Sequence, residues 1–348
     1  MRNLLKKHEI VENNYVSFDG ELGREKSVLQ KLFNFESPLL KASWRFTKII
    51  LEFFAIGFIV IAITFFLVNS IPGDTGVESG LTEAGKAAIR KELGLDLPIL
   101  ERFGIYLKNL FKGDFGVSLS VFQRKPINDF IWDRLFRSLY VGLWSVCLTV
   151  GIGVPIGVYV GKNPDGIVDN VTTLIISVFS SVPSLIFAIL LLFVGRSVGL
   201  PYIFDQQNFA TWILPGIALS LGSTIVYIRY IRTELNRELN SMHSKFCYLK
   251  GVTKSRFVWR HALKPSLFPI ATFFPGVVLG SFVGSIFIER IFFITGSGNI
   301  LFSAVTSKDY NIILFQVIFF SLLTILSYTL RDILYEIIDP RIRRKGGR

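Results

Sequence analysis

The sequence predicts an all-α membrane protein with six transmembrane helices. Of its 348 residues, 51% are hydrophobic and only 18% are charged, and the mean hydropathy is +0.49. Charged residues at that frequency are too few to cover the surface of a soluble protein. The apolar residues also gather into charge-free runs of about 20 residues, the length that crosses a bilayer as a helix. A transmembrane barrel would instead show short alternating strands.

Six charge-free runs are long enough to cross the membrane. A charge at the centre of a spanning helix costs about 2.5–3.5 kcal/mol on insertion scales, so its absence is informative. Charged residues bound the runs, as Glu52 and Asp74 do for the first and Arg137 and Lys162 for the second. The predicted spans are 53–73, 138–161, 170–195, 206–228, 265–288 and 310–330.

Glycine and proline recur inside these spans. Glycines at every fourth position share one helix face and let backbones approach closely, either within this chain or against another subunit. The glycines are Gly153, Gly157, Gly161, Gly276, Gly280 and Gly284. Prolines remove backbone hydrogen bonds and are expected to kink the spans. They are Pro155, Pro183, Pro215, Pro269 and Pro275.

The distribution of basic residues predicts the orientation. Segment 229–264 contains nine Lys or Arg residues and the tail 340–348 contains five, whereas 196–205 contains only Arg196. Basic residues in short loops favour the cytoplasmic side. Both termini and segment 229–264 are therefore predicted to be cytoplasmic, and this orienting role explains the net charge of +12 better than nucleic-acid binding does.

The predicted organisation has a membrane domain at 49–339 between two cytoplasmic tails, 1–48 and 340–348. It includes a long external loop at 74–137 and a cytoplasmic loop at 235–264. The first tail is polar and shows no cleavable signal peptide. Its stretch KSVLQKLFNFESPLLKASW places apolar residues among lysines, which fits either a helix on the inner leaflet or an unstructured tail.

No motif predicts catalysis by this chain. The stretch GLTEAGKA at 80–87 is similar to a phosphate-binding loop, but Ala87 stands where Ser or Thr would hold Mg²⁺, and no strand precedes it. The turn TGSGN at 295–299 also follows no strand. Cys147 and Cys247 give no disulfide framework, and the three histidines show no metal-ligand spacing. The chain is predicted to bind no metal or cofactor and to be no enzyme.

Residues 245–269, KFCYLKGVTKSRFVWRHALKPSLFP, interrupt the apolar sequence with a basic segment. Gly251 is expected to end one helix, and Thr253 or Ser255 to start another that presents Phe257, Val258 and Trp259 with Arg256 and Arg260. Such a segment could be a lipid-facing connector, a nucleic-acid patch or a docking element for a cytosolic partner. The residues alone leave the first and third alternatives equally favoured.

This segment resembles a known family at Lys250-Gly251 and at Arg260-His261-Ala262-Leu263, followed by Pro269. Further pieces of the same pattern occur in order at 71–74 (IPGD), 93–98 (LGLDLP), 113–118 (GDFGVS), 182–184 (VPS), 289–292 (ERIF) and 339–343 (DPRIR). The ordered set resembles ABC importer permeases of the dipeptide/oligopeptide branch, first-permease (B-type) subunit. Departures include Cys247, Tyr248 and Leu249 in the loop and Thr75 and Thr295 at positions where the family has proline.

The resemblance implies the type I ABC importer permease fold with a cytoplasmic coupling helix between spans 4 and 5. The chain would form half of a peptide pathway in a bacterial cell membrane. Its implied partners are a second homologous permease, two cytosolic ATPases that bind ATP and Mg, an extracellular substrate-binding (lipo)protein, peptide and the lipid bilayer, without nucleic acid. The implied ATPase-coupling residues are Cys247, Tyr248, Lys250, Gly251, Val252, Ser255, Arg256, Val258, Arg260 and His261.

Two alternatives concern the cargo and the energy source. Permeases that import nickel or a metal chelate share these motifs and this architecture. A secondary transporter, which needs no ATP, would require buried acids or histidines inside its spans, and the charge-free runs contain no acid.

Overall fold

The computed structural model describes residues 38–71, 82–92, 94–283 and 285–338. The predictions for 1–37, for the tail 340–348 and for Gly284 lie outside the described residues. Contacts divide the chain into two units, Met1–Ala55 and Ile56–Arg348. In the first unit, the described residues form the start of a long helix. Everything below concerns the second unit unless stated.

The elements of the described chain are helices, with one isolated antiparallel bridge between Val117 and Pro126. A 3₁₀ turn at Phe209–Trp212 precedes the helix Ile213–Leu239, and a π turn at Val258–Ala262 joins the helices Lys254–Phe257 and Leu263–Gly280. The helices are α1 Pro38–Asn69, α2 Glu83–Glu92, α3 Ile99–Phe111, α4 Asn128–Lys162, α5 Ile167–Ser181, α6 Ser184–Ser197, α7 Ile213–Leu239, α8 Met242–Leu249, α9 Lys254–Phe257, α10 Leu263–Gly280, α11 Ile286–Ile291, α12 Ser297–Thr306 and α13 Tyr310–Ile338.

Five apolar helices are long enough to cross a membrane, and they match the first, second, fourth, fifth and sixth predicted spans. They are Ile49–Asn69, Asn128–Lys162, Phe209–Leu239, Lys254–Gly280 and Tyr310–Leu334. The third predicted span is not one straight helix, because α5 and α6 meet at an angle of 104°. The prediction of a multi-pass helical membrane protein is confirmed, with six crossings if the bent pair counts as one.

Pro183 explains the break between α5 and α6. A residue before proline is pushed out of the helical region, and Val182 has the extended angles φ −90° and ψ 123°. Pro183 itself has ψ 134°, and α6 begins at the next residue. The sequence predicted a kink at Pro183, whereas the structure shows a complete break between α5 and α6. Pro155, Pro269 and Pro275 instead lie inside continuous helices.

The glycines of α4 face α7 at close range. A Cβ on Gly157 would lie 2.9 Å from Cβ of Ile231, and one on Gly161 would lie 3.1 Å from Cβ of Leu235. Both distances are shorter than ordinary side-chain contacts, so the two backbones need glycine to approach this far. In the second set, a Cβ on Gly276 would lie 3.1 Å from Ser327 Oγ of α13, whereas Gly280 faces open space within this chain.

The described part of the region between the first two apolar helices contains the short helices α2 and α3, and its later residues are bonded to α13. The first residues of α2 come from the stretch similar to a phosphate-binding loop, which accordingly forms a helical turn at 83–87. The carboxylate of Asp309, at the start of α13, accepts hydrogen bonds from Ser118 Oγ at 2.6 Å and from the Ser120 N–H at 2.9 Å. The helix α4 begins at Asn128, so residues 128–137 of the predicted external loop belong to this helix.

Candidate functional site

The predicted cytoplasmic segment folds as two short helices joined by a left-handed turn. Gly251 has φ +82°, a conformation that glycine adopts without strain. The Val252 N–H donates to Cys247 O at 3.1 Å and the Gly251 N–H donates to Tyr248 O at 2.9 Å. This pair of bonds is the Schellman arrangement, which satisfies carbonyls that the end of α8 leaves free. The turn therefore has one defined geometry.

The second short helix continues directly into a membrane-crossing helix. Thr253 caps α9 by accepting from the Arg256 N–H at 3.4 Å. The Leu263 N–H then donates to Val258 O, a π-type bond that carries the chain into α10. Because Lys254–Gly280 is one uninterrupted helical stretch, a displacement of α9 displaces α10 with it.

Phe257 is the centre of the packing between the segment and the bundle. Its side chain is fully buried, and the rings of His243, Tyr248 and His261 lie 5.5, 5.6 and 5.9 Å from it. Val258 is also fully buried in the same cluster. The side chains of Phe257 and Val258 thus face the bundle, whereas the sequence analysis predicted them on the exposed face of the helix. An aromatic or a β-branched side chain can occupy either a buried or an exposed face.

The cluster around Phe257 reaches the apolar helices α4, α7 and α10. Val158 of α4 and Ile231 of α7 belong to it, as does Ile270 of α10, with Cys247 and Val252 packed against its edge. Cys247 and Val252 occupy the two positions at which apolar side chains frequently accompany a Schellman turn. The segment is therefore fixed to three helices of the bundle.

The outward face of α8 is apolar, and the sequence analysis missed most of it. Met242, Phe246 and Leu249 are 64%, 58% and 84% exposed, and their spacing of four and three residues places them on one helix face. The side chains of Lys245 and Lys250 are exposed beside them. The i, i+4, i+7 spacing was visible in the sequence and could have identified this face, here called the α8 stripe.

The remaining predicted coupling residues lie around the two short helices. Arg256 and Arg260 are exposed, as is Trp259. Ser255 Oγ accepts a hydrogen bond from Lys162 Nζ at 3.4 Å. The half-buried Cys247 Sγ lies 3.6 Å from His243 Nε2. The predicted positions are thus brought together in one segment, with Val252 and Val258 inward and the cations outward.

One ion pair that the sequence did not predict joins α5 to α7. The guanidinium of Arg232 binds both carboxylate oxygens of Asp169, at 2.6 and 2.7 Å. Asp169 is buried, and Asp169 Oδ2 also accepts from the Asp165 N–H at 2.9 Å. Such bidentate pairs fix orientation as well as distance. The first turn of α5 is therefore tied to the α7 residue next to Ile231.

A second polar network connects α4 with α11 and α12. Ser138 Oγ donates to Glu289 Oε1 at 2.6 Å, and the Asn299 N–H donates to Oε2 at 2.8 Å. Burial raises the pKa of Glu289 to about 7, since it outweighs the hydrogen bonds that favour the ionised form. Gly296 is required beside it, because a Cβ there would lie 2.7 Å from Oε2.

A bundle of apolar crossings with one exposed basic helix–turn–helix fixed to its helices defines a subunit of a membrane transport system. The chain belongs to the family of binding-protein-dependent transport system inner membrane components, whose model matches residues 153–344. The family resemblance read from the sequence is confirmed, and with it the type I ABC importer permease fold.

Relatives of known name are similar over most of the chain. Dipeptide transport system permease protein DppB of Lactococcus lactis subsp. cremoris is 29% identical over 287 residues, covering 82% of this chain and 94% of the relative. Oligopeptide transport system permease protein OppB of Haemophilus influenzae is 31% identical, covering 85% and 98%. Glutathione transport system permease protein GsiC of Escherichia coli K12 is 30% identical, covering 83% and 95%.

Proposed function

We propose that this chain is a permease subunit of an ATP-driven importer of dipeptides or oligopeptides. It forms half of the translocation pathway and transmits the ATPase cycle to it through residues 242–262. The observation that carries the proposal is the α8 stripe. An exposed apolar face flanked by lysines, on a helix fixed to the bundle through buried Phe257, has the properties of a docking surface that transmits movement.

The proposed transmission of movement requires a rigid connection between residues 242–262 and the helix bundle. The Schellman turn fixes α8 relative to α9, and the continuous helix from Lys254 to Gly280 carries α9 into α10. The buried cluster ties the same residues to α4 and α7. An ATPase that pulls on the α8 stripe therefore moves α7 and α10, and this movement would alternate the pathway between inward-open and outward-open.

In the proposed complex, other subunits bind ATP, complete the pathway and deliver the cargo. Two cytosolic ATPases bind ATP and Mg and grip the α8 stripe together with the predicted coupling residues. A second homologous permease completes the pathway, and an extracellular binding protein delivers the cargo. The concentration of basic residues in 229–264 supports a cytoplasmic position for this segment and for both termini, in a bacterial cell membrane.

Peptide is the cargo that the comparisons favour. Two of the three relatives above are named for dipeptide or oligopeptide transport, which supports peptide over nickel or a metal chelate. A secondary transporter is disfavoured by the roles of the buried acids in the described chain. Asp169, Glu289 and Asp309 each accept hydrogen bonds that hold separate elements together.

The proposal is tested by replacing apolar residues of the α8 stripe with serine. In the double variant Phe246→Ser, Leu249→Ser, both side chains are exposed, so folding is expected to be retained. We expect the membrane level of the permease to stay unchanged while co-purification of the ATPases and peptide uptake fall at least tenfold. Phe111→Ser on α3 is the matched control, since Phe111 is equally exposed but lies in the predicted external loop. Retention of the ATPases by the double variant would overturn the proposal.

A further inference from the structure

The helix α3 carries an apolar stripe that the described chain leaves uncovered. Leu100 and Phe111 are 72% and 84% exposed, and between them lie the exposed Gly104 and the half-buried Leu107. The spacing of four, three and four residues places these four positions in one line along the helix. They are here called the α3 stripe.

A charged face adjoins the α3 stripe. Glu101 and Lys108 are exposed on this face of the helix, and the exposed Lys112 follows directly after the helix ends. A helix with one apolar and one charged face is amphipathic, as helices that lie on membranes are. With 13 residues, α3 is about 20 Å long, so it is too short to cross a hydrocarbon core of about 30 Å. It can lie along a membrane surface, but it cannot span the membrane.

A further side of α3 packs on the first apolar crossing through aromatic rings. The ring of Phe103 is in contact with three rings of α1, at centroid distances of 6.2, 5.2 and 5.3 Å from Phe58, Phe65 and Phe66. The ring of Tyr106, nearly one turn further along α3, lies 5.3 Å from that of Phe65. These contacts fix the position of α3 along α1.

The aromatic contacts place α3 at a defined depth in the membrane. The apolar crossing ends at Asn69, and Phe58 lies eleven residues before it, or about 16 Å along the helix axis. Half of the hydrocarbon thickness is about 15 Å, so Phe58 lies near the middle of the bilayer. Phe103 also packs against a cluster that contains Ile318, which lies eight residues, or about 12 Å, inside the crossing Tyr310–Leu334. The ring of Phe103 therefore lies inside the hydrocarbon region.

We propose that α3 is an interfacial helix embedded in one leaflet of the bilayer, with the α3 stripe against lipid acyl chains. In the predicted orientation this is the external leaflet. Lys108 and Lys112 then reach the level of the lipid headgroups, as long basic side chains at a membrane surface do. The partner of this face is thus the lipid bilayer, although α3 belongs to a segment that the sequence analysis predicted to be an external loop.

Lipid is favoured over a soluble protein as the occupant of the α3 stripe because of this depth. An external binding protein acts in water, and it would have to enter the leaflet to cover a helix whose Phe103 reaches the hydrocarbon region. The apolar surface also continues on α1, where Ile59 and Ile63 are exposed in the same crossing as Phe58. The inference goes beyond the proposed function, since it depends neither on the cargo nor on the docking of the ATPases.

The test measures whether single positions of α3 face lipid or water. In a permease whose Cys147 and Cys247 are replaced by serine, Leu100→Cys and Phe111→Cys each carry a nitroxide label. The assembled complex is reconstituted in vesicles of phosphatidylethanolamine and phosphatidylglycerol. Collisions of the label are measured with oxygen, which concentrates in hydrocarbon, and with a neutral nickel chelate, which stays in water. We expect the ratio of oxygen to nickel collisions at both positions to be roughly threefold or more above the ratio at Lys108→Cys.

Lys108→Cys is the matched control, because Lys108 lies on the same helix, between the two labelled stripe positions, but on the charged face. All three residues are exposed, so labelling is expected to preserve the fold. An equal ratio at all three positions would place the α3 stripe in water and would overturn the proposal. Shielding of Leu100 and Phe111 from both reagents only after addition of purified binding protein would assign the stripe to that protein, and this result would overturn the proposal too.

Discussion

Replacing Gly251 by alanine isolates the contribution of one turn to energy coupling. Gly251 has φ +82°, and the turn it makes orients the α8 stripe relative to buried Phe257. A Cβ at this position would meet nothing within 4 Å, so the substitution introduces no steric clash. Its only effect on the folded state is the strain of a left-handed conformation.

The size of that strain can be worked out. A left-handed conformation costs an alanine about 1–2 kcal/mol. The reduced freedom of the unfolded chain returns about 0.4–1 kcal/mol. The net penalty is therefore about 1 kcal/mol, which lowers the equilibrium constant for forming the native turn about fivefold. This is too small to unfold a membrane protein that is held by several buried clusters, but it shifts α8 towards misaligned positions.

The assay measures peptide uptake and ATP hydrolysis in the same reconstituted complex. For Gly251→Ala we expect less peptide transported per ATP hydrolysed, by at most about fivefold, at an unchanged level of permease in the membrane. Gly251→Asn is expected to retain more coupling, because asparagine tolerates the left-handed region better. Gly151→Ala is the control, since Gly151 lies inside α4 and faces open space. An unchanged transport-to-hydrolysis ratio in Gly251→Ala would refute this account of the turn.

Two further predictions concern buried carboxylates. Asp169→Asn removes the ion pair with Arg232, whose side chain is one-third exposed, so we expect the free energy of unfolding to fall by about 2–3 kcal/mol. Thermal unfolding should then occur at a lower temperature, and adding Arg232→Met should restore part of the lost stability. An unaltered unfolding curve for Asp169→Asn would contradict the prediction. For Glu289, the folded pKa of about 7 exceeds the ordinary 4.5, so the folded state binds more protons than the unfolded state between these values. Stability should therefore fall by about 3 kcal/mol as the pH rises from about 4.5 to about 7, and denaturation of Glu289→Gln across the same range should lack this slope.

The crossings of the membrane could be predicted because they depend on composition within one segment. A charge-free run near 20 residues long has few stable forms in a bilayer other than a helix, and five of the six runs form one. The sixth, 170–195, satisfies the same criterion but breaks at Pro183. Proline alone does not decide the outcome, since Pro155 and Pro275 stay inside the continuous helices α4 and α10. At Pro183 the residues after the break, Ser184 and Leu185, line a cavity, where a broken helix is tolerated.

The structure of residues 242–262, here called the docking segment for its proposed role, was predictable only in part. Gly251 could be recognised because a left-handed turn has a specific residue preference. The inward direction of Phe257 could not be predicted, because which face of the four-residue helix α9 is buried depends on contacts with α4 and α7, which are other parts of the chain. The same holds for the polar contacts, since Ser138 and Glu289 are 151 residues apart and no spacing rule relates them.

The arrangement of the buried clusters decides which helices respond to the docking segment. Cluster residues connect Phe257 and Val258 to α4, α7 and α10, and the close glycine contacts make α4 and α7 behave as one block. The N-terminal half of α4 is in turn bonded to α11 through Ser138 and Glu289. Under the proposed function, a pull on the α8 stripe would act on this block at one end, while the Glu289 network would resist at the other. A cavity of about 620 Å³ lies between α7, which belongs to the block, and α6, which follows the break at Pro183, so the proposed pull would change the shape of this cavity.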